Sequence, residues 1–195
     1  MKFNFNGFGE CFIFKTSYNL KAMKSFLLTL SLIGILSSCK DKNNDPDPVL
    51  PQATQTGADT GGAIVNGKIW ISKIEKSTVA ALGNNTTYEF VNHEYSLKIH
   101  LRNAENPSGN TLQIVMVSDQ DFGVGDYPLT ENDQGLYYYS SKMYSTDHEN
   151  TGVLSITKFD KAHKIISGTF SFKAKYYYDG DTVTITDGRF DRKYQ

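Results

Sequence analysis

From Ile166 to Tyr176 the chain alternates without a break. Ile166, Gly168, Phe170, Phe172, Ala174 and Tyr176 fall on one side, and Ser167, Thr169, Ser171, Lys173 and Lys175 on the other. Successive side chains of a strand point to opposite faces, whereas helical apolar positions recur every three or four residues, so this stretch reads as a half-buried β-strand. A strand of this kind needs a partner. Asp179-Gly180 supplies a turn of the type that tolerates positive φ, and Val183, Ile185 and Phe190 follow it. A two-residue turn predicts Tyr178 opposite Asp181, Tyr176 opposite Val183 and Ala174 opposite Ile185. One extra residue, a β-bulge near Asp187-Gly188, then brings Phe170 to Phe190.

The same period runs through the rest of the chain from Gly62. Tyr95, Leu97, Ile99 and Leu101 alternate with polar residues, and a loop through Asn106-Pro107-Ser108-Gly109 leads to Leu112, Ile114 and Met116, a second hairpin. Further strands are expected over Ala63 to Lys73, split by the Asn66-Gly67 turn, and over Thr86 to Val91, Leu136 to Ser145 and Gly152 to Phe159. The expectation is an all-β domain over residues 62–195. About eight mostly antiparallel strands would form a meander, closed as a β-barrel or folded as a β-sandwich. Thr78 to Leu82 is the one stretch that reads as a helical turn. A body of this size buries enough surface for a core of its own.

The N-terminal third follows other rules. Lys24 precedes an apolar run from Phe26 to Leu36, too short for a spanning helix but of the length of a signal-peptide core. Leu36-Ser37-Ser38-Cys39 then resembles the bacterial lipoprotein signal, in which small residues precede a cysteine that becomes lipidated and N-terminal. Residues 1–38 are accordingly expected to be removed, with Met23 a better start than Met1 and residues 1–22 upstream of it. Residues 39–61, with Pro46, Pro48 and Pro51 and no aromatic residue, read as a lipidated N-terminus and solvated tether. Lys40-Asp41-Lys42 and the acidic residues behind it resemble the short charged export signals of Bacteroidetes-type surface lipoproteins.

Val65 to Trp70, Ile156 to Asp160, Ile166 to Phe172 and Val183 to Phe190 together resemble an uncharacterised family of Bacteroidetes-type lipoproteins. The resemblance implies a lipid anchor, an all-β fold and a place at the outer membrane or cell surface. It carries no activity with it.

Charge and motif spacing narrow the chemistry. The chain has 20 basic and 21 acidic residues, and loss of residues 1–38 leaves a net charge of −4, with no basic footprint for nucleic acid. Its 13% aromatic content is that of an ordered domain. The two cysteines, Cys11 and Cys39, offer no disulfide framework. His93, His100, His148 and His163 show no zinc spacing, no G-x-S-x-G elbow is present, and no cofactor motif is found. Asp119, Asp121 and Asp126 around Gly123 depart from a calcium loop and read as a solvated turn, so no metal is expected.

Two tyrosine triplets remain, Tyr137-Tyr138-Tyr139 and Tyr176-Tyr177-Tyr178. Consecutive strand residues alternate in direction, so each triplet presents a ring outward, and Tyr177 is expected to be exposed. Tyr137, Tyr139 and Tyr177 are the candidate ligand-binding residues, with a glycan or a peptide as partner. Cross-strand pairing that merely stabilises the sheet explains the same rings. The reading is a lipid-anchored, non-catalytic binding or accessory module of the cell envelope. The alternatives are a structural envelope protein, or a hydrolase whose carboxylate and tyrosine site is assembled from distant residues.

Overall fold

A strand pattern this regular has to bury one face, and the protein does so by folding one sheet over itself. The computed structural model describes residues 48–73, 85–103 and 110–195, all within the second of the chain's two compact units, Asp47–Gln195. The signal region, Cys39, Thr78 to Leu82 and the Asn106 to Gly109 loop lie outside the described residues. Eleven strands are present among them: β1 (Thr60–Val65), β2 (Lys68–Ile71), β3 (Thr87–Val91), β4 (Glu94–Asn103), β5 (Asn110–Ser118), β6 (Gly125–Leu129), β7 (Gln134–Tyr139), β8 (Lys142–Ser145), β9 (Gly152–Asp160), β10 (Ile165–Tyr176) and β11 (Thr182–Lys193). The described residues include no helix long and apolar enough to cross a membrane.

All strand pairs are antiparallel, in the order β2-β1-β11-β10-β8-β7-β5-β4-β3. The sheet forks at β10. Ile165 to Phe172 pair with β9, which pairs in turn with β6, while Lys175 and Tyr176 pair with β8. The sheet is open and does not close into a barrel. Only single parallel bridges, Lys73 to Asn103 and Thr86 to Tyr194, tie its ends across. Folding brings β4 and β5 over β1 and β10: Leu101 packs on Gly61, and Ile99, Leu112 and Ile114 face Phe170 and Phe172. This sandwich-like interior holds the aliphatic core, with Leu97, Ile99, Leu101, Leu112, Met116, Leu154, Ile156, Ile166 and Ile185 all fully buried.

The expected β4–β5 hairpin is present, and its register sets Leu97, Ile99 and Leu101 opposite Met116, Ile114 and Leu112. Asn66 and Gly67, at φ 47° and 77°, form the turn that separates β1 from β2. The bulge in β11 also lies where expected: Thr186 and Asp187 interrupt the pairing with β10, Asp187 and Gly188 that with β1, and Asp187 has φ 51°.

The register of β10 with β11 differs from the expected one. Ala174 faces Val183, and Tyr176 donates its N–H to the Asp181 carbonyl at 2.7 Å, so the loop has four residues, Tyr177 to Gly180. Asp179 accepts the Asp181 N–H at 2.9 Å and Gly180, at φ 76°, donates to the Tyr176 carbonyl at 3.0 Å, which closes this longer loop. A slip of two residues leaves every side chain on its original face, so alternation does not distinguish the two registers. Beyond the bulge Phe170 therefore faces Gly188, and Phe190 faces Gly168. Each ring lies over the glycine opposite, filling the space a side chain would take.

The strands beyond those expected arise in two places. β6 was not foreseen, and the stretch Leu136 to Ser145 is a hairpin, β7 and β8, turned at Ser140 with φ 56°. The segment before β1, read as tether, lies against β11 in its described part. The carboxylate of Asp191 accepts hydrogen bonds from Thr54 Oγ1 at 2.6 Å, the Thr56 N–H at 2.9 Å, the Gly57 N–H at 2.8 Å and the Ala58 N–H at 3.2 Å.

Candidate functional site

The register of four adjacent strands builds the site. Leu112 of β5 faces Tyr137 of β7, Tyr137 faces Tyr144 of β8, Tyr144 faces Tyr176 of β10, and Tyr176 stands opposite Asp181. Directly opposed residues of antiparallel strands share a face, so one row crosses the inward face of the sheet. The row changes from leucine to tyrosine to aspartate as it leaves the aliphatic core. At that end the two layers do not meet. They leave an open cavity of ≈ 400 Å³ lined by Tyr137, Tyr139 and Tyr144 on one side and by Asn66, Lys68 and Trp70 of the β1–β2 hairpin on the other. The Asn66 turn is fastened to β11 by two bonds with Thr184, of 2.8 and 2.9 Å, which holds the facing wall in place.

The candidate tyrosines fall at different depths. Tyr137 is buried and Tyr139 is 48% exposed, their rings 6.3 Å apart and nearly parallel at 13°. Tyr177 is 87% exposed, as expected, but through its place on the β10–β11 loop and not through strand alternation, since Tyr178 beside it is 83% exposed as well; it lies outside the cavity lining. Ring contacts nevertheless connect all three. Tyr137 meets Tyr144 at 6.1 Å, Tyr144 meets Tyr176 at 5.8 Å, Tyr176 meets Tyr178 at 5.4 Å and Tyr178 meets Tyr177 at 5.6 Å. The two triplets thus join through Tyr144 into one aromatic track from the cavity to the loop tip.

Asp181 sets the electrostatics. It accepts the Tyr144 hydroxyl at 2.8 Å and Lys142 Nζ at 3.3 Å, and Lys142 also reaches Asp179 at 2.9 Å. The Tyr144 hydroxyl and then Lys142 hold the Asp181 carboxyl below the usual carboxylate range. Burial, followed by the nearby Asp181 carboxylate, pushes the Tyr144 phenol up. Burial, with Tyr139 and Tyr144 beside it, raises Tyr137 to about 12. Tyr137 and Tyr144 therefore stay neutral hydroxyls at physiological pH, and Lys142 is taken up by two carboxylates.

Two wall residues carry polar atoms without partners. Trp70 is 6% and Asn110 is 7% exposed, and among the described residues neither the Trp70 Nε1 donor nor the Asn110 Oδ1 acceptor has a hydrogen-bond partner. Leaving such a group unpaired costs about 1–3 kcal/mol. Trp70, Asn110, Tyr144 and Asp181 were not singled out from the sequence. Only the register brings them together, although Trp70 is the chain's one tryptophan.

Elsewhere, Asp121 of the acidic turn is engaged by the Tyr88 hydroxyl and by Lys161, contacts that outweigh its burial and keep its carboxyl low. Among the described residues no three His, Cys, Asp or Glu side chains come together to hold a metal. Neither curated proteins nor solved structures give a match to this chain. Residues 103–192, from the end of β4 into the last turns of β11, are similar to a family described as "Domain of unknown function (DUF6252)", and that stretch carries every residue of the tyrosine track and Asp181 but not Trp70.

Proposed function

We propose that this chain is a lipid-anchored protein of the cell envelope, and that its all-β body is a non-catalytic binding or accessory module working through the tyrosine-lined cavity. The observation that carries the binding half is the cavity itself. An opening of ≈ 400 Å³ with aromatic walls and a few convergent polar groups is the common form of a small-ligand site. A sheet that used its tyrosines only for cohesion would seal this end. Instead Tyr139 stands at the rim half exposed and Trp70 and Asn110 keep unsatisfied groups in the wall. The lining carries one carboxylate, Asp181, whereas glycoside hydrolysis ordinarily uses two, so binding fits the wall better than hydrolysis.

Anchoring rests on the apolar run before Cys39 and the small residues beside it. Diacylglyceryl on Cys39 would hold the body at the outer membrane or cell surface, where two or more acyl chains suffice for stable attachment. The partners in this reading are the membrane, through the lipid, and a glycan or peptide at the cavity, with no nucleic acid. Labelling with radioactive palmitate in a Bacteroidetes-type host tests the anchor. The wild-type chain takes up label and partitions with membranes, and Cys39→Ala does neither. An unlabelled wild-type chain retaining residues before Cys39 would refute the anchor.

A further inference from the structure

We infer that the ligand of this cavity is an uncharged oligosaccharide lying along the tyrosine track from Tyr139 to Tyr177. The inference rests on the binding reading above and names its ligand class.

Three observations lead there. First, aromatic rings extend from the cavity to the loop tip. Six tyrosine rings follow one another at 5.4 to 6.3 Å between centroids; Tyr139, Tyr177 and Tyr178 are exposed at the two ends, while Tyr137 and Tyr144, each 6% exposed, lie beneath the surface between them and Lys142 Nζ stands 4.9 Å over the Tyr176 ring. A single small molecule would occupy the cavity and leave Tyr177 and Tyr178, both more than 80% exposed, without a role. A chain of flat, hydroxylated rings uses the whole length, because its apolar C–H faces cover aromatic area while its edges stay polar.

Second, the unpartnered wall atoms are of opposite kinds. Trp70 Nε1 is a donor and Asn110 Oδ1 an acceptor. Both atoms are buried beneath the cavity surface, so a hydroxyl-bearing guest, which donates and accepts, reaches them once the wall side chains turn toward it, and the Asp181 carboxylate in the lining offers an acceptor directly.

Third, little net charge lines the cavity. Lys142 is bonded to Asp179 and Asp181. Lys68 is the one basic residue in the lining and has no ion pair among the described residues, and Asp181 is the one acidic residue. One cation and one carboxylate in the same wall make no single-sign field to steer an ionic ligand.

The test uses the full-length chain in a detergent without a sugar headgroup. Trp70, in the cavity wall, is the only tryptophan, so its fluorescence reports occupancy. The probes are cellohexaose, xylohexaose, maltohexaose and mannohexaose, the matching disaccharides, tetragalacturonate, and a pool of uncharged hexapeptides. At least one neutral hexasaccharide is expected to change Trp70 emission saturably and more tightly than tetragalacturonate. Tyr139→Ala should weaken it about tenfold, and Tyr139→Phe, which keeps the ring, less than about twofold. Tyr177→Ala should weaken the hexasaccharide and leave the disaccharide unchanged, since only the longer chain reaches the tip. Circular dichroism confirms that each variant remains folded. Saturable, Tyr139-dependent binding of peptides with the oligosaccharides silent would overturn this inference and leave the binding module standing. Silence from every probe would overturn both, as would oligosaccharide binding that none of the tyrosine variants alters.

Discussion

Replacing Asp191 by Asn probes how the body holds the segment that leads to its proposed anchor. Asp191 is 1% exposed, and its two oxygens divide the work. Oδ2 accepts from Thr54 Oγ1, the Thr56 N–H and Oγ1, and the Ala58 N–H, while Oδ1 accepts from the Gly57 N–H and from Ser167 Oγ at 2.7 Å. Burial raises the pKa of this carboxyl, but the Thr54 and Ser167 hydroxyls and the Thr56 and Gly57 amides outweigh it and hold the group far below the usual range. In Asp191→Asn the amide oxygen keeps the more crowded Oδ2 side and the NH₂ group takes the Oδ1 side. The Ser167 hydroxyl rotates to accept from it. The Gly57 N–H cannot, and is left facing another donor.

One stranded buried amide plus the lost charge on the remaining bonds amounts to about 2–3 kcal/mol, and Asp191→Ala, which strands the whole set, to about 3–5 kcal/mol. In a body of this size the Asn change lowers Tm by about 5–10 °C. Urea denaturation of the full-length chain measures it, and limited proteolysis should cut earlier within residues 51–59. Because the folded pKa is depressed, the contribution is complete above 3.8 and fades as pH falls through the lower folded value. The gap between wild type and Asn should therefore hold from pH 7 to about 4 and narrow below. A loss under about 0.5 kcal/mol at pH 7 would refute the strap as a structural element.

His100 predicts a second pH effect. Burial first, and then Lys98, Arg102 and Arg192, lower its pKa from 6.5 to about 4. The unfolded chain takes up a proton below 6.5 that the fold refuses, so stability falls between pH 7.5 and 4.5 by about 2–3 kcal/mol, and His100→Gln removes that part of the slope. Equal slopes for the two proteins would contradict it. Gly188→Ala places a methyl group 2.4 Å from the Phe170 ring and 2.5 Å from the Phe170 carbonyl oxygen, which cannot turn aside. A loss of about 1–3 kcal/mol is expected from thermal melts, and an unchanged Tm would refute the packing of Phe170 over this glycine.

What could be read from the sequence was what the period of two controls. β4 and β5 form the expected hairpin because Leu97, Ile99 and Leu101 on one strand and Leu112, Ile114 and Met116 on the other recur at every second residue, but that period does not choose their register, since a two-residue slip would also set apolar against apolar. The bulge around Asp187 was expected because unbroken pairing in the two-residue-turn register would have set Arg189 against Phe170; in the observed register the same break puts Gly188 in place of Asp187 opposite Phe170. The two-residue slip of β10 on β11 was not legible, since it exchanges no face. β6 was missed because Gly-Asp-Tyr-Pro-Leu is too short for its alternation to stand out, with only Tyr127 and Leu129 as large apolar residues, and it carries a proline, which the outer edge of a sheet tolerates. The hold of Asp191 on the Thr54 to Ala58 segment spans more than 130 residues of sequence and leaves no local signal.

The site was half legible. Exposure of Tyr177 was expected from the triplet but comes from its place on the loop, and its link to Tyr137 and Tyr139 runs through Tyr144 and exists only once β8 lies between β7 and β10. Trp70 and Asn110 come from strands on either side of the cavity, so no spacing in the sequence points to them.

A crystal structure of the protein soaked with the neutral hexasaccharide that binds best tests the central claim most directly. The account predicts difference density beginning against Tyr139 and Trp70 and continuing toward Tyr177, with hydroxyls near Asp181 and Asn110. A fully occupied sugar elsewhere on the body, with the tyrosine cavity holding only water, would contradict it.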